Sequence, residues 1–133
     1  MTIFTEREIS LLDTVTRIVA KLPEEGPNGP LRCHEVARVV GRLLGLTVED
    51  GFYGFADHSW LWTEKPDPSK IVTSRVGMPN ILDPYCVGSL PVVRLLDGSC
   101  TALPHVGWSY RSGPPRMDID EDLVDSLIRK LGF

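Results

Sequence analysis

The sequence predicts an α+β fold, a small antiparallel sheet packed against a cysteine-bearing helix, with further helices at the N- and C-terminal ends. Two patterns carry that expectation. Apolar residues recur at helical spacing in three segments, and between the second and third lie short runs rich in β-branched and aromatic residues, bounded by turn formers. A chain of 133 residues with 42% hydrophobic residues suits a single domain spanning positions 1–133 around one ordinary core.

From Thr5 to Leu22, the residues Ile9, Leu12, Val15, Val19 and Leu22 fall at helical spacing, and Thr5 with Glu8 forms a capping-box pattern. Pro23 and the following EEGPNGP stop this helix and predict a loop. A second helix is expected from Leu31 to Leu44. Cys33, Val36, Ala37, Val40 and Leu44 share one face, Glu35, Arg38 and Arg42 take the opposite side, and Gly45 supplies the stop.

TVEDGFYGF, HSWLWTE and NILDPY then read as strands of a meander, in which His58, Trp60 and Trp62 alternate onto one face and Ile81, Asp83 and Tyr85 onto another. His58 and Asp83 are thereby expected as cross-strand neighbours. PVVRLLDG offers one further strand, whereas Cys100 to Met117, with Pro104, Gly107, Gly113, Pro114 and Pro115, reads mostly as loop. Asp118 and Glu121 mark the start of a last helix, whose Ile119, Leu123, Leu127 and Leu131 form an apolar stripe running to Gly132.

Composition narrows the function classes. With 24% charged residues, a formal net charge of −4 and no long basic run, the chain lacks the footprint of a nucleic-acid binder. MTIFTEREIS has no apolar signal-peptide core, and no segment approaches the roughly 18 apolar residues of a membrane span, so a cytoplasmic protein is expected. Cys33, Cys86 and Cys100 are odd in number and lack CxxC spacing, which favours free thiols over a disulfide framework.

One constellation can carry chemistry. Cys33 at the first turn of its helix sits near unpaired backbone N–H groups and the positive end of the helix dipole, both of which stabilise a thiolate. Its place on the apolar stripe aims the sulfur toward the sheet. His58 is the candidate base, titrating near working pH, and Asp83 would orient the imidazole and stabilise its charged form. The oxyanion of an acyl-transfer step would take the Cys33 N–H and, as a second donor, the side chain of Asn28 from the preceding loop.

A helix-starting cysteine, then a strand beginning HSW, then a strand containing ILDP resembles the core of the transglutaminase-like, papain-related cysteine protease superfamily. The similar stretch runs from Arg32 to Tyr85. Where that family frequently has tryptophan beside its cysteine, this chain has Arg32 and His34. The resemblance implies a Cys-His-Asp triad in which Cys33 is the nucleophile, His58 the base and Asp83 the orienting carboxylate. It also implies acyl transfer from a protein, peptide or side-chain amide through a thioester, with no cofactor.

Blander readings stand beside this one. Cys33 alone reads as a core residue, His58 as a satisfied strand histidine and Asp83 as the opening of an Asp-Pro turn. Trp60, Trp62 and Trp108 read as core or as groove lining. His34, about 100° around the helix from Cys33, reads as a surface or rim residue that touches substrate rather than as a base. Asp57 is expected on the face opposite His58. A zinc site from Cys33, His34, His58 and Cys86 has suitable ligand chemistry but no familiar spacing, and no GxSxG supports a serine mechanism. The alternative to an enzyme is a catalytically silent module of the same fold, binding a protein or peptide through the Cys100–Met117 region.

Overall fold

The computed structural model describes residues 5–27, 29–64, 80–85, 92–94 and 110–132. The elements run α1 (Glu6–Ala20), β1 (Glu25–Gly26), β2 (Gly29–Pro30), α2 (Cys33–Leu44), β3 (Val48–Tyr53), β4 (Ala56–Trp62), β5 (Ile81–Asp83), β6 (Val92–Arg94), β7 (Tyr110–Ser112) and α3 (Glu121–Leu131). This is the α+β arrangement the patterning predicts, with the Cys33-bearing helix packed on an antiparallel sheet. Among the described residues no helix is long and apolar enough to cross a membrane.

The helix α1 begins as its sequence dictates. Thr5 Oγ1 accepts from the Glu8 N–H at 3.1 Å and Glu8 Oε1 accepts from the Thr5 N–H at 2.9 Å, closing the capping box. Glu8 is buried, and its other carboxylate oxygen accepts from Asn80, while Arg7 Nη2 donates to the Thr63 carbonyl at 2.8 Å. These bonds tie the start of α1 to the end of β4 and the approach to β5.

The EEGPNGP stretch is more ordered than a loop. Glu25 pairs with Pro30 and Gly26 with Gly29, so β1 and β2 form a minimal antiparallel ladder immediately before α2. Helix α2 then runs to Gly45, which takes the left-handed conformation that closes it.

The larger sheet has the order β6-β5-β4-β3-β7, antiparallel throughout, and β3 to β6 form the expected meander. The departure is β7. Tyr110–Ser112, inside the segment expected to be mostly loop, pairs with Gly51–Tyr53 and extends the sheet beyond β3.

Alternation along β4 divides the core between the two sheet faces. Leu61 and Leu82 join Val36, Val39 and Val40 of α2, Val15 and Ile18 of α1, and Val124 and Leu127 of α3. Each fully buried valine here contributes on the order of 2 kcal/mol by leaving water. Tyr53, Trp60, Trp62, Ile81 and Tyr110 make the second cluster.

Because helices and sheet enclose α2, its supposed polar side is not free. Glu35 is 2% exposed and accepts from Arg32 Nε and Nη2 at 2.7 and 2.6 Å, a charge buried only with its partner. Tyr85 does not continue the Ile81/Asp83 alternation, because β5 ends at Asp83 and Tyr85 packs against the helix-side core. At α3 the cap is Asp120, which accepts from the Leu123 N–H at 3.0 Å, whereas Asp118 is held by Arg32 and Arg116.

Candidate functional site

The site forms where the start of α2 meets the sheet. The β4/β5 register pairs Leu61 with Leu82 and Trp62 with Ile81, so Asp83 runs alongside Trp60 and His58 lies two residues farther on the same face. Asp83 and His58 are therefore diagonal neighbours rather than direct partners, within reach of long side chains. His58 Nε2 stands 2.7 Å from Asp83 Oδ2.

The same Oδ2 accepts from Tyr110 Oη at 2.6 Å, a contact no sequence pattern announced. The short alternation of aromatics in Trp108-Ser109-Tyr110 was the one available signal for a strand there. His58 is 4% exposed and Asp83 0%. A carboxylate oxygen only accepts, so Nε2 carries the proton and Nδ1 is the nitrogen left for exchange with a thiol.

Cys33 is the first residue of α2, follows an Arg32 N-cap that makes no side-chain cap bond, and is half-buried. Burial alone would push its thiol up. Hydrogen bonding with His34 and then His58, together with the charge on both imidazoles, instead brings it down to about 6. For His58 burial would lower the value, but the bond to Asp83, then Cys33, raise it to about 10. Thiol and imidazole thus favour the thiolate–imidazolium form over the neutral pair, and Asp83 stabilises the cation.

His34 is not a rim residue. It is 6% exposed, its Nδ1 lies 3.7 Å from Cys33 Sγ and 2.7 Å from Ser59 Oγ, and Ser59 donates to Asp50 Oδ1 at 2.6 Å. Ser59 and Asp50 are register partners on the face that α2 covers, and Arg38 reaches Asp50 from the helix. Cys33 therefore stands between two polar groupings, His58–Asp83–Tyr110 on one sheet face and His34–Ser59–Asp50 on the other.

Trp60 is 1% exposed and packs between the rings of His58, at a centroid distance of 6.3 Å, and Tyr110, at 5.1 Å. That is a core position, and it supports the imidazole from one side. Trp60 Nε1 and Asp83 Oδ1 are buried without hydrogen-bond partners among the described residues. Asp57 lies on the face opposite His58 and pairs with Arg116 at 3.4 Å.

Asn28, Cys86, Cys100 and Trp108 lie outside the described residues, and with them the second oxyanion donor and two of the three thiols. Among the described residues no group of three or more His, Cys, Asp or Glu side chains converges as metal ligands would. The chain matches no family model, no curated protein and no solved structure, so its functional reading stands on the geometry of Cys33, His58 and Asp83.

Proposed function

We propose that the protein is a cysteine-dependent acyl-transfer enzyme acting on a peptide, isopeptide or side-chain amide. The observation that carries the reading is a buried imidazole held 2.7 Å from a carboxylate and hydrogen-bonded to a helix-start thiol. The likeness to transglutaminase-like cysteine enzymes in residue order supports the same chemistry.

In the first half-reaction the Cys33 thiolate attacks the acyl carbon, forming a C–S bond and sending the carbonyl electron pair to oxygen. The Cys33 N–H, at the first position of α2, is the donor offered to that oxyanion. As the intermediate collapses, the C–N bond breaks and His58 gives its proton to the departing amine. In the second half, water or an amine attacks the thioester, His58 takes the incoming proton, and the thiolate leaves. Water gives hydrolysis or deamidation; an amine gives conjugation.

A thiol-alkylating probe tests this directly. Cys33 should react far faster than Cys86 and Cys100 at neutral pH, and Cys33→Ala should abolish amide turnover while leaving the circular dichroism unchanged. Equal labelling of all three thiols counts against the reading.

A second reading, a catalytically silent binding module, takes support from a cavity of about 420 Å³ at the start of α2. It is lined by residues including Gly26, Pro30, Arg32, Glu35 and Asp118, and not by Cys33. Loss of binding on Trp108→Ala together with no effect of Cys33→Ala favours the module over the enzyme.

A further inference from the structure

The grouping on the helix side of the sheet contains a fixed sequence of hydrogen-bond directions. Asp50 is the anchor: Arg38 Nη1 and Nη2 donate to its two oxygens at 3.0 and 2.7 Å, and the Arg116 backbone N–H donates to Oδ2 at 3.0 Å. With three charged or backbone donors aimed at it, Asp50 is an acceptor only. Ser59, 0% exposed, gives its single hydroxyl proton to Asp50 Oδ1 at 2.6 Å.

The consequence falls on His34. Once the Ser59 proton is committed to Asp50, the Ser59 oxygen offers only lone pairs to His34 Nδ1, 2.7 Å away. Two lone pairs facing each other at that distance would repel, so Nδ1 must carry a hydrogen. The Cys33 sulfur lies 3.7 Å from that same nitrogen. A histidine so held cannot take the thiol proton through Nδ1: its one hydrogen points at Ser59 Oγ, and the sulfur receives the longer branch of that shared N–H.

We infer that His34 is a second imidazole of the site, a permanent Nδ1–H donor that holds Cys33 as thiolate while His58 alone exchanges the proton. Ser59, Asp50 and Arg38 act as its positioning residues. The inference rests on the reading of Cys33 as the nucleophile and deepens it by dividing labour between the two histidines. Removal of His58 and removal of His34 should then have different signatures: the first removes the proton carrier, the second shifts the pH at which the thiolate forms.

The titratable and charged groups around the thiol and the two imidazoles are Arg32 at the N-cap, His34, Glu35 and Arg38 of α2, Asp50 of β3, His58 of β4, Asp83 of β5, Tyr110 of β7 and Arg116 beyond it; of these His34 and His58 act on the thiol itself. Burial opposes the thiolate, and His34 is the first of the contacts that favour it. A single shared N–H at 3.7 Å from the sulfur is a modest interaction, so the effect should be a displaced pH profile rather than a loss of function.

Two measurements on the full chain decide it. Nitrogen-15 imidazole spectra of the unmutated protein at pH 7 should show His34 Nδ1 protonated; an Nδ1 without hydrogen overturns the assignment. The pH profile of Cys33 alkylation by iodoacetamide should then move upward in His34→Leu, with the rate at pH 6 down about tenfold and the high-pH rate within about twofold. His34→Asn, whose amide restores a donor near the Nδ1 position, should recover most of the difference. An unmoved profile in a folded His34→Leu variant overturns the inference, and if that variant does not fold the imidazole spectra decide alone. A chain that shows the Nδ1 proton and the displaced profile but transfers no acyl group overturns the acyl-transfer reading and leaves the role of His34 standing.

Discussion

Asp83 Oδ2 receives both His58 and Tyr110, so one buried oxygen fixes the orientation of the imidazole that meets Cys33. An amide in place of the carboxylate removes the negative charge while keeping the shape. With Asp83→Asn, the raised His58 value should fall, moving the alkaline limb of the rate profile to lower pH. Turnover should drop about a hundredfold or more, as expected where an orienting carboxylate is lost. An unaltered alkaline limb would show that Asp83 does not set the state of His58.

Cys33, His58 and Asp83 are legible in the sequence because each is a chemically distinctive residue in a recognisable setting: a helix start and two strands with alternating partners. Tyr110, Ser59 and Asp50 are not, because hydrogen bonds between residues so far apart in the chain leave no periodicity. The 100° divergence of neighbouring helix side chains gives the wrong environment for His34, since at the first turn of α2 the Cys33 and His34 side chains still converge to 3.7 Å.

Among the elements, the three helices are readable from apolar spacing and end signals, and the capping box of α1 gives a measurable case. Thr5→Ala removes the acceptor for the Glu8 N–H and should lower stability by about 1 kcal/mol in denaturant titration. The pattern puts the cap of α3 two residues early because Asp118 and Asp120 both suit the role, and Arg32 and Arg116 claim the first.

Strands β1, β2 and β7 are two or three residues long, too short for a period of two to stand out. What permits β7 to pair is Gly51. A Cβ there would stand 2.0 Å from the Arg111 carbonyl oxygen and 2.9 Å from the Trp60 ring. Gly51→Ala should cost about 2–3 kcal/mol and, by displacing the strand that carries Tyr110, reduce turnover more than stability alone explains. Wild-type stability in this variant would refute the close approach of β3 and β7.

The molecule as a whole uses its central sheet twice. One face packs against α2 with α1 and α3 around it and holds the His34–Ser59–Asp50 line, while the other carries the aromatic cluster with His58 and Asp83. The sequence conveys the layer order, since helix and strand periods differ, but not the burial of Glu35 and His34 beneath several elements at once.

Asp50 links this architecture to pH. Burial would raise its carboxyl, yet Arg38, the Arg116 N–H and Ser59 bring it down to about 2. Because the folded value lies below the ordinary 3.8, Asp50 contributes stability that is present above about pH 4 and lost as pH falls through about 2. Unfolding free energies measured from pH 5 to pH 1.5 should decline across that window, and the decline should be smaller in a folded Asp50→Asn variant. Identical slopes in the two proteins would remove Asp50 from the explanation.

The most direct measurement is intact-protein mass spectrometry after brief exposure to an activated acyl donor, followed by peptide mapping. One acyl group should accumulate on Cys33 as a hydroxylamine-labile thioester, be absent from Cys33→Ala, and turn over to water or amine only when His58 is present. Acylation spread over Cys86 and Cys100 as readily as Cys33, or an adduct on Cys33 that persists equally with and without His58, would contradict a nucleophile served by that imidazole.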